Sequence, residues 1–191
     1  MSVKDWPILR NLLLTDNAGP NQRLRTDPGE TGFFARRMWR VSYEILALGA
    51  TPLVFKVTVP VNFIIHFQGL VIDIGGVAMR AYRAAQGVEG GSFATPVPLL
   101  SNNFMDEFPE YTFQSTIMTG GTFTPNPGEV AVETIRVRTS GATAQQTSVG
   151  GQTFEERGLR SVAPFYLVFS KLSGVAGDSE GTYTLLVEER P

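Results

Sequence analysis

The chain has 191 residues, a net charge of −2, no Cys and a single His. Without Cys it can form neither disulfides nor thiolate metal sites, which fits a reducing cytoplasm. A charge so near zero argues against nucleic acid as the main partner, because phosphate binding draws on dense Lys and Arg.

Residues 1–35 read as an extended N-terminal arm. Asn17-Ala18-Gly19-Pro20-Asn21 and Asp27-Pro28-Gly29-Glu30-Thr31-Gly32 are turn and loop chemistry, and the stretch between them is polar. Only Ile8–Leu14 has the apolar content for a short ordered element. Met1–Arg10 lacks the apolar run of a secretory leader. Residues 1–40 hold seven Lys/Arg against four Asp/Glu, whereas the remainder is acidic. That imbalance fits either a solvated segment or an arm docked on an acidic surface.

From residue 36 onward the chain alternates with period two, so that successive side chains face opposite sides of a strand. Trp39, Val41, Tyr43 and Ile45 point one way while Arg40, Ser42 and Glu44 point the other. Gly49-Ala50-Thr51-Pro52 then predicts a hairpin into Leu53–Val59. Pro60 interrupts, and Asn62–Phe67 and Leu70–Ile74 follow, split at Gly69 by an expected bulge. The apolar stretch Val57–Ile74 carries Pro60, Asn62, His66, Gln68 and Asp73, which excludes a membrane helix.

Gly75-Gly76 turns into Val77–Arg83. Residues 84–110 read mostly as loop, with Pro96 and Pro98 permitting only an edge strand around Phe93–Leu99. Tyr111–Met118 and Val130–Arg138 are strands, the second shifting phase near Glu133–Thr134. A long loop covers 139–163, and Pro164–Leu172 and Thr182–Glu189 close the fold. Gly90-Gly91-Ser92-Phe93, Gly120-Gly121-Thr122-Phe123 and Gly150-Gly151-Gln152-Thr153-Phe154 resemble one another, but their flanks differ, and they read as turn punctuation. The fold class is all-β: a jelly-roll or Greek-key β-sandwich of residues 36–191 behind the extended N-terminal arm.

Chemistry is sparse. His66 lies within a strand with no carboxylate at motif spacing and reads as a packed or surface histidine. Asp106-Glu107, Glu110, Glu155-Glu156 and Glu188-Glu189 read as solvated charges in loops or at a terminus rather than converging acids. Asp178-Ser179-Glu180 has the donors for a hard cation, yet is also an ordinary turn. No catalytic residue, cofactor or metal is expected. Basic residues Arg23, Arg25, Arg36 and Arg37, with the loop residues Phe104, Met105 and Phe108, read as protein-contact residues, since interfaces are enriched in Arg, Met and aromatics.

Four segments carry a resemblance: Thr31-Gly32-Phe33-Phe34-Ala35-Arg36-Arg37 entering a strand, Ala142-Thr143-Ala144-Gln145-Gln146, Glu156-Arg157-Gly158-Leu159, and the terminal Glu188-Glu189-Arg190-Pro191. Together they resemble small structural proteins of tailed bacteriophages. The resemblance implies a capsid decoration (cement) protein made in the host cytoplasm and carried on the virion. Its implied partners are the major capsid protein of the phage head and further copies of itself as a homo-oligomer, trimers being common. Nucleic acid and membrane are not among them. The alternative is a head- or tail-fibre host-recognition module binding a surface glycan, and a polysaccharide-degrading enzyme is a third.

Overall fold

The computed structural model describes residues 37–101, 111–139, 156–158 and 163–190. Two antiparallel sheets face each other. The first contains β1 (Met38–Leu48), β3 (Asn62–Ile74), β7 (Leu100–Ser101), β11 (Glu156–Gly158) and β13 (Ser179–Arg190), in the order β11-β3-β13-β1-β7. The second contains β2 (Leu53–Thr58), β4 (Gly76–Arg83), β6 (Thr95–Pro96), β8 (Thr116–Thr119), β10 (Glu133–Arg138) and β12 (Phe165–Lys171), ordered β10-β4-β12-β2-β8-β6. The chain is an all-β sandwich.

Period-two patterning explains which face each strand buries. Trp39, Val41 and Ile45 of β1, Leu70 and Ile72 of β3, and Tyr183, Leu185 and Val187 of β13 meet Phe55, Met79, Ile135, Val137, Leu167 and Phe169 from the other sheet. Phe55 sits at the centre, its ring centroid 4.9 Å from Tyr43 and 5.1 Å from Phe169. Burying each such side chain contributes about 1.5–3 kcal/mol, so this layer supplies most of the driving force for folding.

Eight strands form two facing quartets when β5 to β9 are set aside. In chain order β1, β2, β3, β4, β10, β11, β12 and β13 fall into two quartets, β11-β3-β13-β1 and β10-β4-β12-β2. Every consecutive pair except β4 and β10 therefore crosses from one sheet to the other. The expected hairpin between the first two strands is corrected by this: β1 pairs with β13 and β7, while β2 pairs with β12 and β8. Gly49-Ala50-Thr51-Pro52 is an arch between sheets. A second arch at Gly75, whose φ of 85° is in the left-handed region, is closed by two hydroxyls. Thr139 Oγ1 accepts from Gly75 N at 3.1 Å, and Ser179 Oγ accepts from Gly76 N at 3.1 Å.

Strand β3 is continuous through Gly69, so the expected split is not there. The irregularity is at His66: Leu186 pairs with Phe67 and Val187 with Ile65, which leaves His66 as the extra residue. A second shift skips Asp73 next to Gly181, where a Cβ would come within 2.2 Å of the Val71 carbonyl oxygen. Val130 and Val132 are out of step because β10 begins only at Glu133, and both are exposed. The expected edge strand near Pro96 is present as β6.

A third layer lies on the outer side of the second sheet, and it corrects the reading of 84–110 as mostly loop. Strand β5 (Gly87–Gly90) pairs with β9 (Thr122–Pro125), joining Gly90 to Thr122 and Glu89 to Phe123. Two of the Gly-Gly segments thus sit side by side. Phe123 stacks on Tyr166 at 4.2 Å, and Phe93 approaches the same ring at 6.0 Å. With Val54, Tyr82 and Val168 they form a second apolar cluster.

Candidate contact surfaces

The carboxylates expected to be solvated at the C-terminal end are instead completely buried, both Glu188 and Glu189 having 0 % exposure. Alternation along β13 sends them to opposite sides of the sheet, so they cannot converge on one substrate. Glu188 lies on the outer side, where His66 Nε2 approaches Oε2 at 3.0 Å and Arg190 Nε donates to Oε1 at 3.0 Å. Burial alone would push the Glu188 carboxyl up, but the His66 and Arg190 hydrogen bonds together hold it below the usual carboxylate value. The carboxylate His66 lacks in sequence is thus supplied from 122 residues away.

Glu189 faces inward and is fully occupied. It accepts from Tyr111 Oη at 2.7 Å, Gln114 N at 3.1 Å and Ser115 N at 2.8 Å. Burial and this bond push the Tyr111 phenol up to about 12. Arg37, the one proposed contact residue among those described, belongs here. It is half-buried, its carbonyl accepts from Glu189 N at 2.9 Å, and its Nε is enclosed without a hydrogen-bond partner. Arg23, Arg25, Arg36, Phe104, Met105 and Phe108 lie outside the described residues, as do Asp106, Glu107, Glu110 and Glu155.

A cavity of about 10 Å³ between the sheets, the size of one water molecule, is lined by Trp39, Phe63, Gln68 and Phe165 among others. Among the described residues no three His, Asp or Glu gather as a cation would require. Ser179 spends its hydroxyl on Gly76, while Asp178 and Glu180 remain exposed.

The outer surfaces carry the sharper pattern. On the second sheet, the half toward β12 and β2 is covered by the third layer, where Lys56 Nζ meets both oxygens of Glu89 at 2.8 Å and the Tyr166 hydroxyl donates to the same carboxylate. Among the described residues, none covers the half toward β10. Register places Thr134 beside Arg80, Arg136 beside Ala78 and Arg138 beside Gly76. Outward positions are fixed by Ile135 and Val137 turning inward. Arg80, Arg136 and Arg138 therefore share one face: Arg80 and Arg136 are diagonal neighbours about 7–8 Å apart, and Arg138 lies two residues further along β10. Arg80 Nη1 donates to Ser170 Oγ at 3.1 Å and Arg138 Nη2 to the Gly174 carbonyl at 3.3 Å, with no described carboxylate paired to any of the three.

The outer face of the first sheet has the opposite sign at its β13 start. Glu44 of β1, Glu180 of β13 and Asp73 of β3 are exposed on three adjacent strands, with Asp178 just before. Neither face was singled out from sequence, although alternation in β10 had already set Arg136 and Arg138 opposite Ile135 and Val137. The pairing of β10 with β4, which adds Arg80, has no local signal. Set against family models, curated proteins and solved structures, the chain matches none.

Proposed function

We propose that the sandwich is a jelly roll and that the chain is a structural virion protein, a decoration protein that stiffens a phage head by binding its outer surface. The observation that carries this is the strand order. Two quartets, β11-β3-β13-β1 and β10-β4-β12-β2, are what two Greek keys rolled together give, an architecture shared by viral capsid and lectin domains. The two buried carboxylates add support, because each pins one strand to another: Glu188 to β3 and Glu189 to residues 111–115. Such stitching suits a rigid part whose work is adhesion.

In this reading the head's major capsid protein is the partner, and many weak contacts over a repetitive shell sum to stable attachment. The contacts to neighbouring subunits come from Arg23, Arg25, Arg36 and Arg37 together with Phe104, Met105 and Phe108. Purified protein mixed with undecorated heads is expected to bind saturably, with a copy number comparable to that of the shell subunit. Heads that stay bare, or a few copies per particle together with binding on a glycan array, would defeat it.

A further inference from the structure

We infer that copies of this chain associate head to tail, the arginine face of one meeting the acidic corner of the next. The inference stands on the distribution of charge and not on the virion reading. Arg80, Arg136 and Arg138 occupy the open half of one outer face, and Glu44, Asp73 and Glu180 occupy one corner of the other. The faces are back to back across the sandwich, so no copy can satisfy its own pairs, and a second copy brings complementary potentials together.

Both patches are flat and held by strands. On the arginine face, the strand neighbours of the cations are the small residues Gly76, Ala78 and Ser170. Arg guanidinium offers a planar fork that takes a carboxylate through two parallel hydrogen bonds, which a Lys face would not. On the acidic corner, Leu46 is 71 % exposed beside Glu44, an apolar contact for the arginine stems. Like charges gathered on each patch repel one another in the free chain, and that repulsion is relieved on contact. Because the two surfaces differ, the interface is heterologous and propagates either into a closed ring or into a stack.

The test uses two full-length variants. Arg136→Glu with Arg138→Glu makes both faces acidic, and Glu44→Lys with Asp73→Lys cancels the charge of the acidic corner against Glu180 and Asp178. Sedimentation velocity at about 50 mM salt is expected to show the wild type self-associating, with dissociation as salt rises toward about 1 M and screening shortens to a few ångströms. Each variant alone should associate at least about tenfold more weakly, and an equimolar mixture should recover association. All four exposed positions leave the core untouched, and far-ultraviolet circular dichroism checks that both variants fold. A wild type that is monomeric at low salt overturns the inference, as do variants that associate like the wild type or a mixture that stays monomeric. Binding of the arginine face to an acidic protein by an otherwise monomeric chain would overturn it as well, by giving that face another occupant.

Discussion

Glu188 and Glu189 are sequence neighbours with no exposure at all, and they are buried in opposite directions. One fastens the outer side of β13 to His66 on β3, and the other fastens its inner side to the segment that leads into β8. The last strand of the chain is thereby stitched on both faces at a single point. A buried carboxylate is costly unless its oxygens are filled, so each partner matters more than a surface ion pair would.

Replacing Glu189 with Ala is expected to cost about 2–4 kcal/mol, since Tyr111 Oη and two backbone N–H groups lose their acceptor together. Tyr111→Phe removes only one donor and should cost about 1.5 kcal/mol, near the lower figure for a hydrogen bond to a charged group. Urea denaturation of the two variants checks the ranking. Equal losses would mean that the backbone donors at Gln114 and Ser115 find water or another acceptor.

Acid stability follows from Glu188. Its folded-state carboxyl lies below the ordinary glutamate value of 4.5, held there by His66 and Arg190 against the effect of burial. A depressed carboxyl contributes stability that is present above the unfolded value and lost as pH falls through the folded one. The wild type should therefore weaken below about pH 4.5, the reference value of the unfolded carboxyl. Removing one of the two partners by His66→Ala brings the folded value up toward the unfolded one, so the variant should lose stability at neutral pH and show a shallower acid weakening than the wild type. Thermal melts from pH 3 to 7 test this, and an acid limb unchanged in the variant would count against it.

What was legible in the sequence was the set of long strands, because alternation is written locally: Trp39/Val41/Ile45 and Ile135/Val137 declare their inward faces without help. Strands β5, β7, β9 and β11 were not expected, and the expected strand Tyr111–Met118 begins only at Thr116. Sheet membership was not legible. Gly49-Ala50-Thr51-Pro52 bends a chain equally well within a sheet or between two, and only the partners of β1 and β2 decide. The bulge was assigned to Gly69 because glycine attracts that reading, whereas the register places it at His66. Thr122–Pro125 is too short to show a period, so the third layer was invisible until Phe123 met Tyr166. Glu188 and Glu189 looked like a charged terminus because their partners lie 122 and 74–78 residues away.

Alkaline stability should turn on tyrosine. Burial and the Glu189 bond raise Tyr111 to about 12, and burial with the Glu89 bond raises Tyr166 well above its ordinary value. Both phenols stay neutral in the folded chain after the unfolded chain has begun to ionise near 10.0. Their contribution is intact below about pH 10 and drains away as pH climbs toward the folded values. Tyr111→Phe should flatten that decline in denaturation midpoints measured between pH 8 and 12, and a slope identical to the wild type would contradict the assignment.

The third layer should be separable from the sandwich beneath it. Phe123 is its main anchor, stacked on Tyr166 at 4.2 Å and 5.7 Å from the Tyr82 ring, with Gly87 left bare to admit it. Phe123→Ala removes those contacts and should cost about 3–4 kcal/mol where β5 and β9 dock. The main core does not share them: Phe55, Phe169 and Tyr183 form a different cluster on the other side of the second sheet. Native-state hydrogen exchange in the variant should therefore show lost protection at Gly87–Gly90 and Thr122–Phe123, with β12 and β13 amides little changed. A uniform loss across β12 and β13 would show instead that the layer folds only as part of one cooperative unit with the sandwich.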